Sequence, residues 1–293
     1  MINFKSVKDL VDLGESKNAV ISELIIAYEM ESTQISREDV LRKMKNNWQV
    51  MQEAALRGIA NEEKSVSGLV GGDARRLAGY GDYGYTGAVV MKAAAYAVGI
   101  SEVNAIMGRI VACPTAGSCG ILPAAILAAA EKNKNTEDEI LAALFTAAGI
   151  GMIIDQNASI SGAEGGCQAE CGSAAGMAAA ALVVLKGGTS KQICDGAALA
   201  IKNMLGLVCD PVAGLVEVPC VKRNGFAVVQ AMVAADMAMA GIRSVIPIDE
   251  VIEAMKNIGA ALPKSLRETS EGGLAATPTA QAIEQKLYGH KSI

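Results

Sequence analysis

Leu141-Ala-Ala-Leu-Phe-Thr-Ala-Ala-Gly-Ile-Gly-Met-Ile-Ile154 and Cys171-Gly-Ser-Ala-Ala-Gly-Met-Ala-Ala-Ala-Ala-Leu-Val-Val-Leu185 decide the fold class. Neither run holds a charge, and both are dominated by Ala, Leu, Ile and Val. Ala and Leu favour helix, and both runs outlast an ordinary strand. Both fall short of the about 20 apolar residues that cross a bilayer. They read as buried helices of an all-α protein. Charges of both signs are sparse over residues 141 to 235, which marks that half as the interior.

The composition supports the same class. Of 293 residues, 51% are hydrophobic but only 3% aromatic, and 31 are glycine. Small side chains let helix backbones pack closely, so a compact, Ala- and Gly-rich helical domain is expected, with Gly-rich loops forming the site. No period-2 segment, internal repeat or low-complexity linker interrupts the chain, so residues 1–293 are expected to form one domain. Helices are expected over residues 1 to 15, ending near Gly14, over Asn18 to Met30, and from a Ser36 cap to about Ala55, with Trp48 in the core. Others are expected over Ala88 to Val98, Ser101 to Ile110 and Pro123 to Lys132. A Thr136/Glu139 capping box opens another to about Ile154. The Cys171–Leu185 run ends at Gly187-Gly188. Further helices are expected from a Ser190 cap to about Leu207, over Ala227 to Ala240 after a turn at Arg223-Asn-Gly225, from Pro247 to about Ala261, and from Pro278 to near Gly289.

The net charge is −5, with charges interspersed. No basic stripe or aromatic platform for nucleic acid is present. Val111 to Ala130 is uncharged and long enough to span a membrane, but Pro114, Gly117, Gly120 and Pro123 break it, so no membrane partner is expected. Lys5, Lys8 and Asp9 interrupt the N-terminus before an apolar leader could form, and the cysteine count is odd at seven. A reduced, cytoplasmic setting is expected.

In that setting cysteine is a core hydrophobe or a metal ligand. Cys167, Cys209 and Cys220 fall in Gly/Pro-rich breaks, Asn157-Ala-Ser-Ile-Ser-Gly-Ala-Glu-Gly-Gly-Cys167 and Cys209-Asp-Pro-Val-Ala-Gly-Leu-Val-Glu-Val-Pro-Cys220. Cys113 and Cys119 lie in another break; Cys194 reads as mid-helix packing, and Cys171 follows Cys167 by four residues. The spacing differs from the compact run of electron-carrying ferredoxins. Zinc competes, although only Cys167 and Cys171 approach its usual knuckle spacing. His290 is the only histidine, so histidine-based metal sites are excluded. Two further loops, Lys64-Ser-Val-Ser-Gly-Leu-Val-Gly-Gly-Asp73 and Gly79-Tyr-Gly-Asp-Tyr-Gly-Tyr-Thr-Gly87, carry small and polar residues that suit a small polar ligand, and the turn Cys113-Pro-Thr-Ala-Gly-Ser-Cys-Gly-Ile-Leu-Pro123 feeds a helix start whose free N–H groups attract a carboxylate. The first lacks the Gly-Lys-Ser/Thr ending of a phosphate loop.

These motifs, with Arg267-Glu-Thr-Ser-Glu-Gly-Gly-Leu-Ala, occur in the order found in the iron–sulfur-dependent L-serine dehydratases, which the chain resembles from about residue 18 onward. Its length is similar to that of the alpha subunit of the two-chain form. The resemblance implies a [4Fe–4S] cluster on Cys167, Cys209 and Cys220 with one iron open, deamination of L-serine to pyruvate and ammonia, and a separate beta subunit. Ser67, Gly71, Gly72, Asp73, Thr115, Gly117, Asn157, Ser159 and Ser161 are the candidate serine-binding residues, and Glu164 the candidate catalytic carboxylate. In the family a Ser-His-Thr motif of the beta part offers another base, which this chain lacks. Some relatives end in a cysteine that reaches the active site; this chain ends Gly-His290-Lys-Ser-Ile. A pyridoxal-phosphate dehydratase would need a Schiff-base lysine in a scaffold with parallel strands. A zinc-binding or structural helical module without catalysis is the alternative of a different class.

Overall fold

The structure is a computed structural model describing residues 2–289; His290 lies outside the described residues. In chain order its helices are α1 (Val7–Lys17), α2 (Ile21–Thr33), α3 (Arg37–Ala60), α4 (Asp73–Tyr80), α5 (Ala88–Ala105), α6 (Ile121–Asn133) and α7 (Glu137–Asn157). After them come the single turn α8 (Gly162–Gly165), α9 (Ser173–Leu185), α10 (Ser190–Lys202), α11 (Cys220–Met239), α12 (Ile248–Ala261) and α13 (Pro278–Tyr288). Among the described residues there is no strand, and the one isolated β-bridge joins Cys209 to Arg267.

Helix α9 is the axis of the molecule. Of its residues only Val184 escapes full burial, and it packs against α6, α7, α10 and α11. An Ala-rich helix covered on all sides has no polar face to turn outward. The run Gln168–Leu185 is apolar and long enough to span a membrane, but 89% of it is buried inside the protein. A π-helical turn, Gln168–Gly172, joins α9 to the break that holds Cys167.

Capping chemistry fixes several helix starts. Thr136 accepts from the Glu139 amide and Glu139 returns the bond, as the Thr136-x-x-Glu pattern indicates. Helix α10 is capped by Thr189, with Gln192 completing the box, one residue before the expected Ser190. Helix α5 continues through the point where two helices were expected. Gly99 meets Gly58 of α3 there, and a Cβ on Gly58 would lie 2.3 Å from the Gly99 carbonyl carbon. The glycine thus marks a helix crossing rather than a helix end.

Helix α11 begins at Cys220, not Ala227. Arg223, Asn224 and Gly225 form its first turns, with Asn224 wholly buried. Helix α4 was not expected. Its amides at Gly72, Asp73 and Ala74 reach the buried carboxylate of Glu102, which lies on α5. The residues from Val111 to Thr115 are non-helical, so Val111 to Ala130 is not one span.

Candidate active site

Three chain segments bring the cysteines together. Cys167 follows α8, Cys209 follows α10, and Cys220 opens α11. Cys167 and Cys209 are buried and Cys220 is half-buried. Burial pushes the Cys209 thiol far up, and Glu170, Cys167, Glu268 and Cys220 add to the effect. Burial, with Cys167 and Glu170, pushes Cys220 up to about 12. Cys167 moves the other way. Its sulfur lies 3.4 Å from that of Cys171, and this contact, with the Arg223 guanidinium, outweighs burial and holds it below the ordinary thiol value. Cys171 is pushed up by the same contact and by burial. Each of the three thiols therefore lies within electrostatic reach of the others.

Arg223 organises this region. Its two terminal nitrogens donate to the Val208 carbonyl and the Asp210 carboxylate, each at 2.8 Å, and thereby fix the backbone on both sides of Cys209. Asp210 also accepts from the Leu274 amide at 2.8 Å. Cys209 donates its amide to Leu266 at 2.9 Å and accepts from the Glu268 amide at 2.8 Å. The segment after α12 is thus strapped across Cys209. Glu268 and Ser270 hold positive φ angles of 62° and 59° within that strap, a strained backbone of the kind found at functional sites.

The carboxylate at the thiols is Glu170, not Glu164. Glu170 accepts from the Thr115 hydroxyl at 2.7 Å, and its other oxygen lies 3.9 Å from Cys209 Sγ. Burial is the main cause that raises its carboxyl above the ordinary range. Gly162 and Gly117 frame it. A Cβ on Gly162 would stand 2.7 Å from a Glu170 oxygen and 3.0 Å from Cys209 Sγ, and one on Gly117 would stand 3.1 Å from Glu170. The Glu164 side chain is exposed on the outer side of α8, where its carbonyl meets Arg267 Nη1 at 3.4 Å.

The remaining candidates fall into four groups. Thr115 and Gly117 are at the site through Glu170, and Asn224 ties their loop to α11. Its amide donates to the Gly117 and Cys220 carbonyls at 2.7 and 2.9 Å, and its oxygen accepts from Gly120 at 3.0 Å. Ser67 adjoins the cysteine loop: it and Ser65 donate to the buried Glu217 carboxylate, Ser65 at 2.6 Å. Asp73 pairs with Lys222 at 2.7 Å, two residues beyond Cys220. Gly71 gives its carbonyl to Lys64 at 2.7 Å, and Gly72 gives its amide to Glu102. Ser159 accepts from the Ser161 amide at 3.0 Å in the approach to α8. Asn157 points elsewhere, donating to the Lys5 and Ile153 carbonyls at 2.7 and 2.9 Å beside Asp249 and Lys256.

The other cysteines are spread out. Cys113 reaches the Cys119 carbonyl at 3.4 Å within their own buried turn, and Cys194 is half-buried against the main core. Among the described residues, no three His, Cys, Asp or Glu side chains close around a single ion.

A family model described as the serine dehydratase alpha chain matches residues 16–275. The chain belongs to this family. It is 51% identical over 288 residues to a probable L-serine dehydratase alpha chain of Bacillus subtilis, covering 98% of this chain and 96% of the relative. It is 42% identical over 282 residues to the L-serine dehydratase alpha chain of Peptoniphilus asaccharolyticus, covering 96% and 97% of the two. An L-serine dehydratase of Streptomyces coelicolor shares 38% over 285 residues, but there the match covers 93% of this chain and only 60% of the longer relative. Within the family motifs, Glu170, Arg223, Asn224, Glu217 and Arg267 are the site residues that sequence reasoning passed over.

Proposed function

We propose that the chain is the alpha subunit of an L-serine dehydratase, a lyase that converts L-serine to pyruvate and ammonia with a separate beta chain. The whole chain is read as one catalytic domain. The observation that carries the reading is that Cys209 stands beside Glu170, which Thr115 holds, with Cys167 and Cys220 within electrostatic reach of it. Membership of the family supports the reaction class.

The donor set suits a [4Fe–4S] cluster held by these three cysteines. Burial keeps the Cys209 and Cys220 thiols protonated until metal replaces the proton, while Cys167, eased by Cys171 and Arg223, gives up its proton more readily. Arg223 adds a fixed positive charge next to Cys167, which offsets the charge of thiolates in a buried place. A cubane takes one thiolate per corner iron, so its ligands need not close on one point as those of zinc do. When bound, such a cluster supplies a Lewis acid that eases loss of a poor leaving group such as the serine hydroxyl.

The chain's own residues do the rest. Glu170 stands beside Cys209 with one oxygen held by Thr115, and its carboxyl is the group placed to give a proton to the departing hydroxide. Gly117 and Gly162 let the backbone close up against it, where any side chain would strike Glu170. Ser67, Gly71, Gly72 and Asp73 form an outer wall, tied through Glu217 and Lys222 to the cysteine loop. Ser159 and Ser161 lead into α8 from the other side. Asn157 keeps a structural part, closing α7 onto the N-terminal segment. The Cα proton is taken by a base of the beta chain. The aminoacrylate released becomes pyruvate and ammonia in water.

The test is to reconstitute the chain anaerobically with iron and sulfide and assay pyruvate from L-serine with and without a beta chain. Turnover is expected only with both chains present, and it is expected to vanish on iron chelation but survive hydroxylamine. Turnover by the isolated chain, or loss to hydroxylamine in place of chelator, would contradict the reading.

A further inference from the structure

Five aromatic side chains are exposed: Tyr80, Tyr83, Tyr85, Phe226 and Tyr288. Single exposed apolar residues are ordinary, whereas a cluster of them marks a contact surface. The first three stand in Gly79-Tyr-Gly-Asp-Tyr-Gly-Tyr-Thr-Gly87, a segment the reaction does not use. Tyr80 closes α4 with its ring 6.0 Å from that of Tyr83, and Tyr85 is fully exposed. Tyrosines spaced by glycine combine rigid rings with an adaptable backbone, the composition of binding loops. The loop is seated on α5, where a Cβ on Gly84 would strike the Met91 side chain.

Helix α5 carries α4 and α11 next to each other. Ala74 of α4, Val98 of α5 and Val221 of α11 share one buried cluster, and Gly225 of α11 packs on Val98. The Asp73–Lys222 pair, at 2.7 Å, ties the two helix starts together two residues from Cys220. Phe226 follows Lys222 by one turn on the same helix face and is 78% exposed. On the other side of Cys220, Ser65 and Ser67 donate to Glu217 and leave Val66 between them 95% exposed. The exposed apolar groups thus run from the tyrosine loop, along the about 12 Å of α4, to the rim of the cysteine site. Covering the four rings and Val66 would remove roughly 600–900 Å² from water, which matches the about 800 Å² per partner of a stable interface.

We propose that this face docks the beta chain of the dehydratase, with Tyr83, Tyr85, Phe226 and Val66 as its anchors. Resting on the reading above, in which the base for the Cα proton comes from that chain, the occupant must reach the site as well as bind. A partner seated here extends over the Cys220 end of the site and can deliver that base. A second copy of this chain would cover the same area without bringing it.

The test uses the anaerobically reconstituted full chain and its cognate beta chain, purified apart. Their dissociation constant is measured by sedimentation for wild type, Tyr83→Ser/Tyr85→Ser and Phe226→Ser. Val245→Ser is the control, an exposed apolar residue beyond the far end of α11. The tyrosine and Phe226 variants should each weaken binding by about tenfold or more, as loss of a central aromatic anchor does. Iron content and unfolding temperature should stay as in wild type, and excess beta chain should restore turnover. Val245→Ser should bind as wild type does. Should the double variant misfold, Phe226→Ser decides. Beta-chain binding that both variants leave unchanged, equal weakening by Val245→Ser, or loss of a self-dimer with beta-chain binding intact would overturn the proposal. Wild-type chains that associate without forming pyruvate sink the serine reaction, while the dissociation constants still judge the face. Wild-type chains that do not associate sink the two-chain reading and take the occupant of this face with it.

Discussion

At the residue scale, the cysteines were legible and their carboxylate was not. Cys113, Cys119, Cys167, Cys209 and Cys220 all lie in Gly/Pro-rich breaks of the helical rhythm, and it was the family resemblance that singled out the last three. Glu164 drew attention for lying three residues before Cys167, but the α8 turn sends it outward, and the π-helical turn after Cys167 brings Glu170 to Cys209 instead. A signal was present: Glu170 is the one charged residue between Glu164 and Lys186. An isolated carboxylate in an apolar run is a burial cost that needs a reason. The two glutamates therefore have separable roles. Glu170→Gln is expected to lower kcat by about a hundredfold with iron content retained, within the usual range for a lost proton-transfer group. Glu164→Gln, a change at an exposed side chain, should spare most of kcat. Steady-state kinetics on the reconstituted enzyme checks both, and the reverse pattern would return the catalytic part to Glu164.

At the element scale, helix existence followed from composition and spacing, whereas several ends did not. The capping box at Thr136 could be read because its chemistry is local. The start of α11 could not, since Asn-Gly inside Arg223-Asn-Gly225 usually marks a turn. Here long-range bonds override that tendency: Asn224 is spent on Gly117, Gly120 and Cys220, and Gly225 packs against α5. Helix α4 was hidden because its cap, Glu102, lies 29 residues from Asp73. The α3/α5 crossing gives a direct test of the packing. The atoms that a Gly58→Ala methyl would strike belong to the Gly99 backbone and cannot swing aside. That substitution is expected to cost about 1–3 kcal/mol, read by denaturant unfolding of the metal-free chain. A change below ~0.5 kcal/mol would mean that the helices part freely there.

At the scale of the whole molecule, an Ala-rich interior around α9 serves as a rigid block on which Gly-rich breaks are hung. Cys167 comes from one break and Cys209 and Cys220 bound another, and the strap from Leu266 to Leu274 binds that second break through Asp210 and the Cys209 bridge. Long-range placement of this sort leaves no periodic trace in the sequence, which is why the convergence had to come from the fold. The most direct measurement is iron and acid-labile sulfide per chain after anaerobic reconstitution, on wild type and on single Cys→Ala variants at all seven cysteines. About four irons with matching sulfide are expected in wild type. Loss of the metal is expected for changes at Cys167, Cys209 and Cys220 and not at Cys113, Cys119 or Cys194. One zinc per chain, or full iron retained without any one of the three converging thiols, would contradict the account.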